Sequence, residues 1–105
     1  MEYLGGKLQM TFKEYYAMYL TLHQNKINRR LHVTGQIATI FYIISCVMSG
    51  YYFLLLAAPF VVYPFAWSGH YFFEKNKPAA FKDPIKAKIS DWIMLKDILT
   101  GKIEL

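Results

Sequence analysis

A long stretch without a single formal charge, from Leu31 to Phe73, constrains this chain more than any other feature. Every Asp, Glu, Lys and Arg of the 105 residues lies outside it. Its only side chains that titrate near neutral pH are His32 and His70, one close to each end. A chain this short buries only a limited core in water, so an apolar block of this length indicates a lipid environment.

Composition agrees with a membrane protein. Hydrophobic residues make up 55% of the chain and aromatic residues 18%, whereas roughly 45–50% apolar is usual for soluble domains. The net charge of +5 is carried entirely by the two flanks of the apolar block. Lys and Arg that border such a block favour anionic lipid headgroups over nucleic acid as the partner. The single Cys46 excludes an intramolecular disulfide.

The apolar block divides into two predicted membrane spans, residues 31–49 and 51–73, joined at Ser49-Gly50. Each is close to the ~20 residues that cross a bilayer core. Pro59 and Pro64 fall inside the second span, and each removes a backbone donor and bends a helix. A bent second span leaves room for a pocket beside it. In the first span, the small residues Thr34, Gly35 and Thr39 permit close approach of another helix.

Amphipathic helices are predicted on both sides of this hairpin. The first covers residues 11–24 and begins with a capping box formed by Thr11 and Glu14. Interfacial helices follow over residues 84–100, where Trp92, Ile93, Leu95 and Leu99 form an apolar stripe. Gly5 and Gly6 indicate a loose arm over residues 1–10.

The predicted fold is therefore one all-α domain over residues 1–105, a two-span membrane helical hairpin with amphipathic interfacial helices before and after it. Lys and Arg flank the hairpin on both sides, whereas the turn has no charge. The positive-inside rule places both termini in the cytoplasm. The compartment is the endoplasmic reticulum membrane in a eukaryote and the inner membrane in a bacterium.

Three histidines are expected to lie near one another at the cytoplasmic mouth of the hairpin. His32 is 17 residues before Ser49 and His70 is 20 residues after Gly50, so their depths differ by about one helical turn. His23 and His32 would point to opposite faces of one straight helix. A turn at residues 25–28, with Asn28 as the N-cap of the next helix, brings both to one pocket.

Neutral imidazoles and a carboxylate at this boundary suit a metal ion. Glu74 lies four residues after His70 on the same helical face, so the predicted ligands are His23, His32, His70 and Glu74. A donor set without thiolate leaves iron and zinc open, and zinc would indicate hydrolysis. Histidines that merely anchor the protein at the membrane interface are the alternative.

Other polar residues near the predicted site have two open roles. Asn25, Asn28, Arg29 and Asn76 either support the metal ligands and bind a carboxylate headgroup, or cap helices and contact lipid phosphates. We predict that Arg29, Asn28 and Asn76 bind substrate. No phosphate-binding loop or nucleotide motif is present, so no nucleotide cofactor is expected.

Two ordered motifs resemble the signatures of a small membrane family, typified by the fungal endoplasmic-reticulum 2-hydroxy-fatty-acid dioxygenase. The first runs from Tyr19-Leu20 through His23-Gln24-Asn25-Lys26-Ile27-Asn28-Arg29-Arg30-Leu31-His32 to Gly35. The second runs from Ala66-Trp67-Ser68-Gly69-His70 through Glu74-Lys75-Asn76-Lys77-Pro78-Ala79-Ala80-Phe81 to Pro84 and Asp91. The resemblance covers nearly the whole chain, from about residue 11 to residue 101.

The resemblance implies an Fe(II)-dependent dioxygenase that uses O2 to shorten a 2-hydroxy fatty acid by one carbon. His23, His32 and His70 match the family's important histidines and are the predicted catalytic residues, and Arg29 would pair with the substrate carboxylate. A homo-oligomer would complete the acyl tunnel if one hairpin does not. Two alternative functions stay open, a non-catalytic protein that organises membrane lipid and a zinc-dependent lipid hydrolase.

Overall fold

A computed structural model describes residues 11–105, and the arm predicted over residues 1–10 lies outside this range. The described part is all-α, as predicted, and contains no β-strand. The α-helices are α1 (Phe12–Thr21), α2 (Lys26–Ser49), α3 (Tyr63–Gly69) and α4 (Pro84–Leu99). The chain also forms 3-10 helices at Tyr52–Phe60 and Ala79–Phe81, and a π-helical turn at His70–Glu74.

Helix α1 begins with the predicted capping box. The Thr11 hydroxyl accepts from the Glu14 N–H at 3.1 Å, and the Glu14 carboxylate accepts from the Thr11 N–H at 2.9 Å. Tyr15 and Tyr19 are buried and pack against Ala87 and Met94 of α4. This contact fixes α1 beside α4, so the end of α1 is held close to the hairpin.

Helix α2 begins earlier than predicted. The prediction that Asn28 caps this helix was wrong, because Asn25 is the N-cap and its side chain accepts from the N–H groups of Ile27 and Asn28. Hydrogen bonding at the cap, not the end of the apolar block, sets the helix start. The turn between α1 and α2 therefore lies at residues 22–25. At its far end, α2 stops at Gly50, where φ is +77°.

The second span is helical from Tyr52 to Glu74 but changes geometry along its length. Pro59 lies in the 3-10 segment, and Pro64 occupies the first turn of α3, where its missing N–H costs no hydrogen bond. By length and composition, the helices Lys26–Ser49 and Tyr52–Glu74 could both cross a membrane. Only 28% and 22% of their most apolar windows are buried within the protein.

Two glycines allow the spans to approach closely. A Cβ on Gly35 would lie 2.9 Å from Cγ2 of Val62, and a Cβ on Gly69 would lie 2.0 Å from Oδ1 of Asn28. Both distances are shorter than real Cβ contacts, so a side chain at either position would require Val62 or Asn28 to shift. The close crossing at Asn28 and Gly69 lies beside His70 in the sequence and four residues from His32.

Residues 84–99 form one continuous helix, α4, that packs against α1 and both spans. Its buried face carries the small or polar residues Ala87, Ser90, Asp91 and Asp97 and the apolar Met94. The Gln36 side chain of α2 donates to the Asp91 carbonyl at 2.7 Å. Lys88 Nζ donates to the Pro59 carbonyl of the second span at 2.7 Å. Trp92 and Leu99 of the apolar stripe are exposed.

Candidate metal centre

The three histidines of the chain meet in one buried cluster. The ring centroids of His23 and His32 are 4.7 Å apart, those of His23 and His70 are 4.5 Å apart, and those of His32 and His70 are 5.1 Å apart. Each ring is at most 3% exposed. One ring nitrogen from each residue lies within 4.8 Å of the others, a spacing that could hold a metal ion.

Three separate elements bring these side chains together. His23 lies in the turn after α1, His32 lies in the second turn of α2, and His70 is the first residue of the π-helical turn. The turn at residues 22–25 reverses the chain so that His23 faces the same point as His32. This convergence follows the geometry expected for an antiparallel hairpin with its histidines at one depth.

Each imidazole is oriented by a hydrogen bond at its Nδ1 atom. His23 Nδ1 lies 2.7 Å from the Tyr19 carbonyl, and His32 Nδ1 lies 2.9 Å from the Asn28 carbonyl. His70 Nδ1 lies 2.6 Å from Oδ1 of Asn76. Because these oxygens only accept, Nδ1 must carry the proton in each ring. In a neutral imidazole the Nε2 lone pair is then free to bind a metal.

The His23 side chain gives a direct test of whether the cluster suits a metal. Its Nε2 atom is buried and has no hydrogen-bond partner among the described residues. Burial, with a smaller contribution from the neighbouring His32, lowers the pKa of His23 to about 2. A buried, neutral imidazole with an unpaired lone pair is the form that binds a metal. The donor set therefore fits a divalent metal ion, and three imidazoles are compatible with either iron or zinc.

Glu74, the fourth predicted ligand, has a different environment. It is not among the residues whose ligand atoms converge within residues 11–105. Its carboxylate accepts the backbone N–H of Asn25 at the start of α2. A carboxylate at a helix N-terminus is favoured by the helix dipole. Its role as a ligand stays a prediction, and its observed contact ties the second span to the turn that carries His23.

Asn76 connects the π-helical turn to the rest of the site. Lys75 adopts a left-handed conformation with φ of 62°, and the chain folds back so that the Asn76 N–H donates to the His70 carbonyl at 3.1 Å. The Asn76 side chain then accepts from His70 Nδ1 and donates to the Leu22 carbonyl at 3.1 Å. Both ends of its amide are thus used to hold His70 against the turn before α2.

Arg29 and Asn28 also make contacts within the protein. The Arg29 guanidinium donates to the carbonyls of His23, Gln24 and Glu104, over distances of 2.8–3.1 Å. These contacts pin the C-terminal segment to the turn that carries His23. Asn28 is fully buried against Gly69, and its side-chain amide has no hydrogen-bond partner among the described residues. The predicted binding of substrate by Arg29, Asn28 and Asn76 stays a prediction.

Residues 9–103 match the profile of a family described as 2-hydroxy-palmitic acid dioxygenase Mpo1-like. The chain belongs to this family. The match covers the three histidines and every motif from which the resemblance was inferred. No curated protein and no solved structure matches the chain significantly.

A small cavity of ≈ 30 Å³ lies against the histidines of this Mpo1-like protein. Its volume suffices for about one water molecule or ion. Its wall includes Lys88 and Asp91 of α4 besides the three histidines. The Tyr19 hydroxyl donates to Asp91 at 3.1 Å, and burial raises the pKa of Asp91 to about 7. Burial likewise raises the pKa of Tyr19 well above its ordinary value.

Lys88 and Asp91 were not predicted as site residues. The sequence interpretation of this region followed the apolar stripe at Trp92 and Leu99, which is the exposed side of α4. The signal that could have identified them is a Lys and an Asp three residues apart beside the small residues Ala87 and Ser90. Asp91 is buried and Lys88 is half-buried, and charged residues in such places are unusual and indicate a specific use.

Proposed function

We propose that this protein is an Fe(II)-dependent membrane dioxygenase that converts a 2-hydroxy fatty acid to the fatty acid one carbon shorter, with O2 as oxidant. The observation that carries the proposal is the cluster of three buried histidines, each with its Nδ1 atom hydrogen-bonded, in which His23 Nε2 is buried without a partner among residues 11–105. Membership in the Mpo1-like family supports the substrate class and the use of O2.

The overall reaction balances without a further reductant. A 2-hydroxy acid and one O2 give the shortened acid, CO2 and water, so that the substrate supplies all four electrons that O2 accepts. The carboxylate carbon leaves as CO2, and the hydroxyl-bearing carbon becomes the new carboxyl group. The bound iron would supply the coordination positions at which O2 and the substrate are activated.

The residues of the chain would hold the metal and exclude water. His23, His32 and His70 are the proposed ligands, and the carbonyls of Tyr19 and Asn28 fix two of the rings by accepting their Nδ1 protons. Such partners behind a metal ligand fix its tautomer and orientation. The burial of the three rings keeps bulk water from the reacting groups.

Asn76, Arg29 and Asn28 act in this proposal by positioning the ligands. Asn76 holds His70, while four of the five N–H groups of Arg29 donate to backbone carbonyls around the turn that carries His23. A guanidinium engaged in this way has little capacity left for a substrate carboxylate. Arg29 is therefore assigned to the structure of the turn.

The hairpin would lie in a lipid bilayer. In a water-soluble protein, helices as apolar as α2 and the second span would be mostly buried, whereas here most of their surface is exposed. Large apolar side chains such as Phe41, Met48 and Leu56 are mostly exposed. The lysines and arginines that flank the spans support an orientation with both termini in the cytoplasm.

Metal content and O2 uptake test this proposal on the full chain purified in detergent without chelator. We expect wild-type protein to bind about one iron per chain and to consume O2 with 2-hydroxyhexadecanoic acid, yielding the C15 acid. His70→Ala should lose most of the iron and the activity. Tyr71→Ala is the matched control, because this exposed neighbour belongs to the same helical turn but points away from the cluster. Equal iron in wild type and His70→Ala would contradict the proposal.

A zinc-dependent lipid hydrolase is the second candidate, favoured by the three-imidazole donor set itself. Three histidines with an open fourth position are a known catalytic zinc arrangement. This alternative predicts zinc in the purified protein, hydrolysis of an ester or amide lipid, and no O2 uptake. The same metal and O2 measurements therefore separate the two functions.

A further inference from the structure

A second, larger cavity of ≈ 240 Å³ lies next to the one that contacts the histidines. The two cavities share Val62, Lys88 and Asp91, so these three residues stand between them. Besides the shared residues, the second cavity is lined mostly by apolar side chains, those of Ile43, Ala58, Pro59 and Trp92, together with Gln36 and Thr39. The arrangement is an apolar groove with a polar end that adjoins the histidine cluster.

Lys88 is the only cationic residue that lines either cavity in the described part of the chain. Its ammonium donates one hydrogen bond, to the Pro59 carbonyl at 2.7 Å, and lies 4.7 Å from the centre of the Tyr63 ring. Within residues 11–105, no carboxylate lies at ion-pair distance from it, although Asp91, about one turn further along α4, favours its charged form. An ammonium has three donors, and a half-buried one is costly without an anion. The polar end of the groove thus offers a positive charge with unused donors.

Gln36 supplies an independent sign that this end of the groove accepts a polar group. Its side chain is 1% exposed, and its Nε2 atom donates to the Asp91 carbonyl. Its Oε1 atom is buried without a partner in the described residues, although Gln36 lines the second cavity. A buried carbonyl oxygen of this kind normally receives a hydrogen bond, and a hydroxyl-bearing ligand could donate one.

We propose that Lys88 binds the carboxylate of the 2-hydroxy fatty acid and that the acyl chain occupies the groove between α2, the 3-10 segment and α4. This inference rests on the proposed function for its substrate class. Lys88 would place the carboxylate and the adjacent hydroxyl-bearing carbon beside the histidines, while Trp92 and Ile43 contact the chain. Charge complementarity selects a free acid over its neutral ester.

Direct binding tests the proposal separately from catalysis. The chain has two tryptophans, Trp67 and Trp92, so a Trp67→Phe background leaves Trp92 as the sole reporter in the groove. The probes are a 2-hydroxy fatty acid brominated along its acyl chain, which quenches nearby tryptophan, and the methyl ester of the same acid. Both are titrated into full-length protein in lipid nanodiscs.

Lys88→Met should weaken binding of the acid about tenfold and leave binding of the methyl ester unchanged, whereas Lys88→Arg should retain most of the affinity for the acid. Lys86→Met is the matched control. Lys86 belongs to the same helix and also lies near an aromatic ring, 5.8 Å from the centre of Tyr15, but it lines neither cavity. We expect its acid affinity to equal that of the background protein.

The outcomes separate this inference from the proposed function. Equal acid affinity in Lys88→Met and the background protein overturns the role of Lys88, even where O2 is consumed. Absence of quenching by both probes would contradict the binding of the acyl chain in the groove. If acid binding depends on Lys88 but no O2 uptake occurs, the result supports the carboxylate site at Lys88 and contradicts the proposed dioxygenase activity.

Discussion

The two ends of the helical hairpin bury side chains of opposite character. At the histidine end, the buried residues of the spans are polar and include Asn28, His32, Gln36 and His70. At the turn end, large apolar side chains are exposed, with Met48 at 81% and Leu56 at 82%. Soluble proteins show the reverse arrangement at both ends. The histidine end is therefore stabilised by contacts within the protein, whereas the turn end exposes the kind of apolar surface that a lipid bilayer would cover.

This difference identifies where single substitutions should have large effects. Buried polar groups depend on specific partners, and the loss of one leaves another unpaired at a cost of about 1–3 kcal/mol. Exposed apolar side chains have no such dependence, because in the proposed bilayer lipid would replace any contact that is lost. Gly69→Ala and Asn76→Ala at the histidine end are therefore each paired with a change at the turn end, and Asp91→Asn is compared with wild type.

Gly69→Ala should have the largest effect. A Cβ at this position would lie 2.0 Å from Oδ1 and 3.2 Å from Cα of Asn28, so the Asn28 side chain must shift and the backbone of α2 must give by a few tenths of an ångström. Overpacking of this kind costs ~1–3 kcal/mol, and the movement would displace the Asn28 carbonyl that orients His32. We expect lower thermal stability and loss of most bound metal, measured by unfolding in detergent and by elemental analysis.

Gly50→Ala is the corresponding change in the turn. Apart from its chain neighbours, no part of residues 11–105 comes within 4 Å of a Cβ there, but φ is +77°, so the cost is local backbone strain of ~1–2 kcal/mol. We expect a modest loss of stability and unchanged metal content. Equal metal loss in the two variants would mean that the ends of the hairpin are not independent.

Asp91→Asn should alter the pH dependence of stability. The folded-state pKa of Asp91 is raised from 3.8 to about 7, chiefly by burial, with Tyr19 and Lys88 as its polar and charged neighbours. Its stabilising contribution is therefore complete below pH ~4 and is lost as the pH rises through about 7. A shift of this size corresponds to at most ~4 kcal/mol.

The measurement compares unfolding of metal-free wild type and Asp91→Asn in detergent between pH 5 and pH 8. The difference between the two proteins isolates Asp91, because both contain the same histidines. We expect wild type to lose stability relative to Asp91→Asn as the pH rises. A constant difference across this range would show that Asp91 does not change its protonation state there.

The sequence was sufficient to predict the hairpin and the meeting of the three histidines. A charge-free block long enough for two spans leaves few other folds, and the positions of His32 and His70 relative to Gly50 fix their depths. The predicted start of α2 was wrong because the prediction followed the end of the apolar block. A helix begins where its first N–H groups are capped, here at Asn25, and hydropathy does not predict the position of a cap.

The environment of the ligands could not be predicted in the same way. Asn76 reaches His70 only because a π-helical turn and the left-handed Lys75 fold the chain back, and neither has a reliable local signature. Lys88 and Asp91 face the cavity because of how α4 packs on the spans, which depends on contacts far apart in sequence. Periodicity identifies the faces of a helix but does not tell which face packs inwards.

Asn76→Ala should have a smaller effect than Gly69→Ala or Asp91→Asn. It removes an orienting contact and leaves every proposed ligand in place. His70 would lose the acceptor of its Nδ1 proton, and the turn before α2 would lose its bond at the Leu22 carbonyl. Loss of such a partner typically lowers metal affinity 10–100-fold. Competition with a metal chelator measures this affinity directly.

Tyr42→Phe is the matched control for Asn76→Ala at the turn end. It also deletes a side-chain hydrogen bond between distant residues, from the Tyr42 hydroxyl to the Leu54 carbonyl at 2.8 Å. This bond joins the two spans far from the histidines, so its loss should leave metal affinity unchanged. Asn76→Asp, which keeps an acceptor for His70, should recover most of the affinity that Asn76→Ala loses. Equal affinity in Asn76→Ala and Tyr42→Phe would show that the acceptor behind His70 does not contribute to metal binding.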